Sequence, residues 1–262
     1  MSKHFSLVKR IDTPKLSIFY SLIKINESNE ITAFCRNPII GNNTRIIKKC
    51  VMDTSFNIID EPDSQEITFK GEDPRTFEHN GRIYIQDNYL NDMYLIDYSH
   101  FLENSIPKYI KIDIRGKNLT FISHNGVLYF IHYIKPFKLY TLDIQSGKVS
   151  EVSVNDDKNT LGYEYRGGTP GYSTGNKNIY YGYGHRTYSK GHDIFKWVLT
   201  FHEEGLPSIE IIELEQPENS KFICDPTSVI EINNKKYLIT AEAEKLWFSE
   251  QDYITNVYLI NE

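Results

Sequence analysis

The sequence predicts an all-β fold, a five-bladed β-propeller whose N-terminal strand closes the last blade. Three observations carry this. Short runs alternate apolar and polar residues between Gly, Asn, Asp and Pro, the signature of half-buried strands. A proline-containing dipeptide recurs ahead of such runs at a coarse period of about 35 to 55 residues, the arithmetic of a propeller. The last unit also stops one strand short, while the N-terminus offers spare extended segments at residues 5–11 and 16–25.

The unit starts are Asn37-Pro38, Asp73-Pro74, Thr169-Pro170 and Asp225-Pro226, with Lys117-Asn118 in the third position. Second strands follow at residues 81–85, 126–130, 178–181 and 236–239, and third strands at 93–98, 138–144, 194–201 and 256–260. Fourth strands are expected at residues 66–70, 109–114, 148–154 and 208–214. If an N-terminal segment pairs with the last strand, the ring closes and no long sheet edge stays exposed. A β-sandwich would use the same strands but gives no reason for the recurring dipeptides or the missing strand. No convincing helical period is found; the best candidate, residues 242–253, is short enough to be a loop.

Composition supports one globular domain over residues 1–262, with 40% hydrophobic and 24% charged residues, and 19 Tyr and 14 Phe favouring sheet. A net charge of -6 leaves no basic excess for a phosphate backbone, so no nucleic-acid partner is expected. Cys35, Cys50 and Cys224 are odd in number and lack paired metal-ligand spacing. They read as free buried thiols in a reducing compartment, without a metal site. No apolar run reaches membrane length, so a cytoplasmic protein with no membrane partner is expected, and the sequons at Asn26, Asn42 and Asn118 carry little weight.

Gly71-Glu72-Asp73-Pro74-Arg75 sets a carboxylate pair, a proline and an arginine at the mouth of a strand. The proline is expected to hold Asp73 extended and stiff, as a proton donor requires, although an Asp-Pro turn with a paired Arg75 reads the same way. In a propeller the unit starts meet around one channel. That gathers Arg36 and Asn37; Glu72, Asp73 and Arg75; Arg115, Lys117 and Asn118; Arg166 to Thr169; and Asp225 and Thr227. Lys135, His185 and Arg186 close second strands and reach the same funnel. Arg forks and a Lys point charge suit an anion, or serve as strand-end partners for the carboxylates. Tyr163, Tyr165, Tyr172, Tyr183 and Trp247 are candidates for stacking on sugar rings, with Tyr183 preferred; most aromatics are packing.

At these residues the chain resembles glycoside hydrolase family 130, the β-mannoside phosphorylases and hydrolases, and the related β-1,2-mannosyltransferases and phosphorylases of glycosyltransferase family 108. The Glu-Asp-Pro-Arg motif is one point of likeness. The third unit, Lys117-Asn118 then His124 to Ile131 and Lys135-Pro136, and the fourth, Arg166 to Pro170 then Tyr181 to Arg186, are the others. The resemblance spans residues 37–227 or so. It implies a five-bladed propeller and an inverting reaction at a β-mannosidic bond, by phosphorolysis or by the reverse transfer from a mannose phosphate. Asp73 matches the family's general acid.

The implied phosphate site is Arg36, Lys117, Arg166, His185 and Arg186, and the implied sugar contacts are Asn37, Glu72, Arg75, Asn118, Thr169 and Tyr183. Inorganic phosphate or a sugar phosphate would be co-substrate, and neither a metal nor another cofactor is required. Asp225 departs from the family pattern. As a base it would make the protein an inverting hydrolase, for which two carboxylates roughly 6.5 to 9.5 Å apart are needed; otherwise it caps backbone amides. A propeller that binds glycans or protein without chemistry is the third reading.

Overall fold

The computed structural model describes residues 4–13, 17–23, 29–38, 45–60, 68–89, 92–154, 164–188, 191–218, 220–244 and 253–261. The candidates Tyr163 and Trp247, the sequons at Asn26 and Asn42, and residues 245–252 of the short helical candidate lie outside them.

Five antiparallel sheets form five blades. The first blade contains β2 (Ile18–Ile23), β3 (Glu30–Pro38), β4 (Arg45–Asp53), β5 (Ile58–Asp60) and β6 (Thr68–Lys70). Strands β7 (Glu72–His79), β8 (Arg82–Tyr89), β9 (Asp92–Asp97) and β10 (Tyr109–Arg115) make the second. The third has β11 (Thr120–His124), β12 (Val127–Tyr133), β13 (Lys138–Leu142) and β14 (Val149–Val154). The fourth has β15 (Glu164–Gly168), β16 (Tyr172–Ser173), β17 (Ile179–Tyr188), β18 (Gly191–Thr200) and β19 (Ser208–Glu213). In the fifth, β20 (Ile223–Ile232), β21 (Lys235–Ala243) and β22 (Ile254–Ile260) are completed by β1 (Phe5–Ile11), which pairs antiparallel with β22 from Phe5↔Ile260 to Ile11↔Thr255. The ring closes as expected.

Each gap between neighbouring blades holds its own apolar cluster, because alternating strands turn one row of side chains towards each neighbour. Between blades two and three, Phe77 and Phe121 stack with centroids 4.5 Å apart. Between blades three and four the fully buried Trp197 lies over Gly182, where a Cβ would come within 2.3 Å of the indole. Gly182 is therefore present so that the indole can lie flat on the strand, and a buried ring of this size contributes about 2 kcal/mol or more. Cys35, Cys50 and Cys224 are buried, and none is in a disulfide.

Two expectations need correction. Asn37-Pro38 does not open a blade; it ends β3, and the opening strand of blade one is β2. A helix was also missed: α1 (Tyr98–Asn104) links β9 to β10, with the Asp97 carboxylate accepting from the His100 N–H at 2.9 Å and Ser105 ending it in the left-handed region. At 7 residues it is too short to show a period. No helix among the described residues is long and apolar enough to cross a membrane.

Candidate active site

The innermost strands β2, β7, β11, β15 and β20 begin at one end of the channel. The second strands, antiparallel to them, finish there too. At that end four of the five innermost strands break register: at Ile18/Ser21, Glu72/Arg75, Arg166/Gly168 and Pro226/Ser228. Two of the breaks contain a proline, which has no N–H to give the ladder, and bulges of this kind re-aim side chains.

Asp73 is presented by such a bulge, but not in the extended form that Pro74 was expected to impose. Its φ is +54°, the left-handed region, as is that of Phe19 in the corresponding bulge of β2. Strain of this order, about 1 to 3 kcal/mol, persists only where surrounding contacts over-determine it. Those contacts are present. The Arg36 guanidinium donates through Nη1 to Asp73 Oδ1 and lies over the Phe19 ring, 4.7 Å from its centroid. Glu72 accepts from Arg45 Nη1 and from Lys117 Nζ, the latter at 2.7 Å.

Beneath this pair Arg75 is buried at 2% exposure, its Nε donating to the Gly168 carbonyl at 2.7 Å and its Nη1 to the Pro74 carbonyl at 3.0 Å. It bridges blades two and four across the channel. Burial lowers its pKa, opposed by the charges of Asp73 and Asp225. One buried cation thus feels the charge of a carboxylate from β7 and of another from β20.

Asp225 has a different setting. Its Oδ1 accepts from His192 Nδ1 at 2.6 Å, and His185 Nδ1 lies 3.6 Å away. The two imidazoles stack with centroids 4.6 Å apart. Burial works to raise the Asp225 pKa but is outweighed by the His192 charge and hydrogen bond and by Arg75, which hold it well below the usual carboxylate range. Burial pulls His185 down to about 3, so its ring is neutral. For His192 burial is outweighed by the Asp225 charge and hydrogen bond, and its pKa rises. Behind the motif, burial pushes Asp87 up to about 8, while its Oδ1 accepts the Glu72 N–H at 2.9 Å.

The structure therefore brings together Asp73, Glu72, Arg36, Lys117 and Arg75, and beside them Asp225 and His185, on which the charge of half-buried Arg166 acts. Asn118 stands at the mouth of β11, half-buried with φ +59°. Asn37 is buried and accepts from Ser17 Oγ at 2.7 Å, tying the end of β3 to the start of β2.

Three candidates sit elsewhere. Thr169 is fully buried; its hydroxyl donates to the Pro170 carbonyl and accepts the Tyr183 N–H at 3.0 Å, a strand-to-strand tie instead of a sugar contact. Tyr183 is fully buried between blades four and five, 5.9 Å from the Phe5 ring, and has no face to offer a sugar. Arg186, next to His185 and so on the opposite strand face, is engaged with Asp193 at 3.2 Å and Glu213 at 3.3 Å. Tyr165 belongs to the same group, bonded to Glu213, with Lys135 bridged to it, and Tyr172 lines the far end of the channel.

His192, Asp87, Arg45 and Phe19 went unread. None belongs to a proline-marked unit start, and only their pairing across strands places them here.

No protein-family model matches the sequence, and no curated protein sequence does. Solved structures do. A GH43 β-xylosidase/α-arabinofuranosidase from a compost microbial metagenome superposes with a TM-score of 0.53 at 10% identity, over 99% of this chain and 94% of that one. A GH43_1 enzyme from Xanthomonas citri complexed with xylose gives 0.55 at 10% identity, over 97% and 89%. An exo-β-1,3-galactanase from Phanerochaete chrysosporium gives 0.61 at 8% identity, over 97% and 64%. What they share with this chain is the fold. The family 130 and 108 likeness of the motifs is not matched by these neighbours.

Proposed function

We propose that this protein is a carbohydrate-active enzyme, an inverting glycoside hydrolase with Asp73 as general acid and Asp225 as general base. The observation that carries the reading is that the register breaks of β7 and β20 set Asp73 and Asp225 at the motif end of the channel, near enough to the buried Arg75 for both charges to act on it. Asp225 is held ionised, the form that accepts a proton from water. In the reaction the water oxygen attacks the anomeric carbon as its proton passes to Asp225. Asp73 gives its proton to the departing glycosidic oxygen. The glycoside hydrolases among the structural neighbours support the coarser reading of an enzyme that hydrolyses glycosides.

Hydrolysis is favoured over the phosphorolysis that the motif resemblance implies, because three of the five groups expected to hold phosphate are already engaged by carboxylates. Arg36 is bound to Asp73, Lys117 to Glu72, and Arg186 to Asp193 and Glu213. The glycone stays a matter for assay: the Glu-Asp-Pro-Arg motif suggests a β-mannoside, whereas the neighbours act on xylosides, arabinofuranosides or galactans.

The test is a panel of manno-, xylo- and galacto-oligosaccharides and aryl glycosides, with and without phosphate, with the product anomer followed by NMR. Phosphate-independent release of inverted sugar is expected, and Asp73→Asn and Asp225→Asn should each lower kcat/KM by about 10³-fold. Sugar 1-phosphate formed only with phosphate would replace hydrolysis by phosphorolysis. Binding without turnover would leave a lectin-like propeller.

A further inference from the structure

We infer that His185, His192 and Asp225 form a binding site for a divalent transition-metal ion of the zinc type. The three come from β17, β18 and β20, and one ligand atom from each lies within 4.8 Å of the others. The hairpin of β17 and β18 sets the two imidazoles side by side, and the neighbouring blade supplies the carboxylate. His192 Nδ1 is 2.6 Å and His185 Nδ1 3.6 Å from Asp225 Oδ1, so a small shift of the His192 ring would admit an ion at ordinary metal–nitrogen and metal–oxygen distances of about 2.0 to 2.2 Å.

A second observation points the same way. His185 is 2% exposed, and its Nδ1 has no hydrogen-bond partner among the described residues although it faces the carboxylate. A buried ring nitrogen left without a partner is costly, and coordination would satisfy it. Two imidazoles and one carboxylate suit zinc, nickel or manganese, whereas calcium takes six to eight oxygens and finds one carboxylate here. Three protein ligands also leave a position open, and the His192 side chain is 19% exposed, which supplies a way in. Arg75 and Arg166 lie near enough for their charges to act on His185, and the same positive charges oppose a bound cation.

On binding, the His192 proton moves from Nδ1 to Nε2 and the Nδ1 lone pair goes to the ion. One consequence rests on the hydrolase reading: an ion held by Asp225 withdraws charge from the carboxylate and makes it a weaker proton acceptor, so metal would inhibit hydrolysis.

Titrating chelator-treated full-length protein with zinc sulfate in a calorimeter tests the site without any assay of activity. One equivalent per chain is expected, weakened about 100-fold or more in His192→Ala and in His185→Gln. No stoichiometric zinc, unchanged binding in both variants, or calcium bound in preference would overturn the site. Should the variants fail to fold, cobalt added to the parent must give the visible absorption of an imidazole-ligated ion, and its absence overturns the site equally. Zinc that binds without inhibiting an active enzyme would leave the site standing and remove Asp225 as the base.

Discussion

The Asp87 carboxyl group fills the space that a side chain on Gly71 would need: a Cβ there would stand 1.6 Å from Oδ1 and 2.1 Å from Cγ. Gly71 also has φ +144°, which residues with a Cβ rarely adopt. Since Asp87 Oδ1 holds the Glu72 N–H, any displacement is felt at the Glu72-Asp73 bulge. Gly71→Ala is therefore expected to cost about 3 kcal/mol in urea denaturation, combining overpacking with backbone strain. A midpoint within error of the parent would show that the bulge gives way freely.

Asp87 itself should impose a pH slope on stability. Its carboxyl is raised to about 8 in the folded protein, by burial first and then by the neighbouring Asp73 and Glu72 charges, against an ordinary value of 3.8. Between those values the unfolded chain has released the proton and the folded chain keeps it. Stability therefore falls as pH rises from about 4 to about 8, by a few kcal/mol at most. Asp87→Asn keeps the oxygen that accepts from Glu72 and removes the titration. Equal urea midpoints at pH 4, with the variant increasingly the more stable towards pH 8, are expected; parallel curves would mean that Asp87 ionises normally.

The same region shows what could be read from the chain alone. Strand alternation and the spacing of Asp73-Pro74, Thr169-Pro170 and Asp225-Pro226 revealed the blades, because period 2 and proline are local properties. The closing role of β1 was legible from the missing strand of the fifth blade. Asn37-Pro38 misled because a proline ends a strand as readily as it opens one. Thr169 looked like a site residue because it belongs to a unit start, and Tyr183 because an aromatic ring can stack on a sugar. Which face of a strand a residue takes depends on bulges such as Arg166/Gly168, and those shift the parity invisibly. Asp87 and His192 were out of reach for a related reason: each acts through a partner on another strand.

Arg75 should matter more for stability than any surface charge. Its guanidinium is buried, bonded to the Gly168 and Pro74 carbonyls, and near enough to Asp73 and Asp225 for their charges to act on it. Arg75→Met is expected to cost about 3 to 5 kcal/mol, because the buried Gly168 and Pro74 carbonyls would lose their charged donor. Arg75→Lys should recover little, as one ammonium cannot reproduce the fork to both carbonyls. Denaturation midpoints of the two variants check this, and a lysine variant matching the parent would argue against the fork.

Arg36 should separate catalysis from folding. It holds Asp73 from β3 and lies on Phe19, so its loss lets the bulge relax without emptying the interblade core. Arg36→Ala is expected to lower kcat by about 100-fold with a much smaller change in KM, the pattern of a group that orients the acid. A rise in KM alone would instead mark Arg36 as a sugar contact.

The closure by β1 can be tested by removing it. Phe5 packs against Tyr183 and Tyr258 with centroids 5.9 and 6.2 Å apart, and Ile11 belongs to the cluster between blades one and five. β1 therefore adds apolar contact to both gaps that flank the last blade, besides covering the ladder of β22. Its absence would leave the β22 edge with unpaired N–H and C=O groups, open to pairing with another chain. Deleting residues 1–11 is expected to lower Tm and to produce concentration-dependent association in light scattering. A synthetic peptide of residues 4–12 added in trans should reverse both by re-forming the β1–β22 register. If the shortened chain stays monomeric with an unchanged Tm, the strand covers an edge that needs no cover, and closure would rest on the interblade clusters alone.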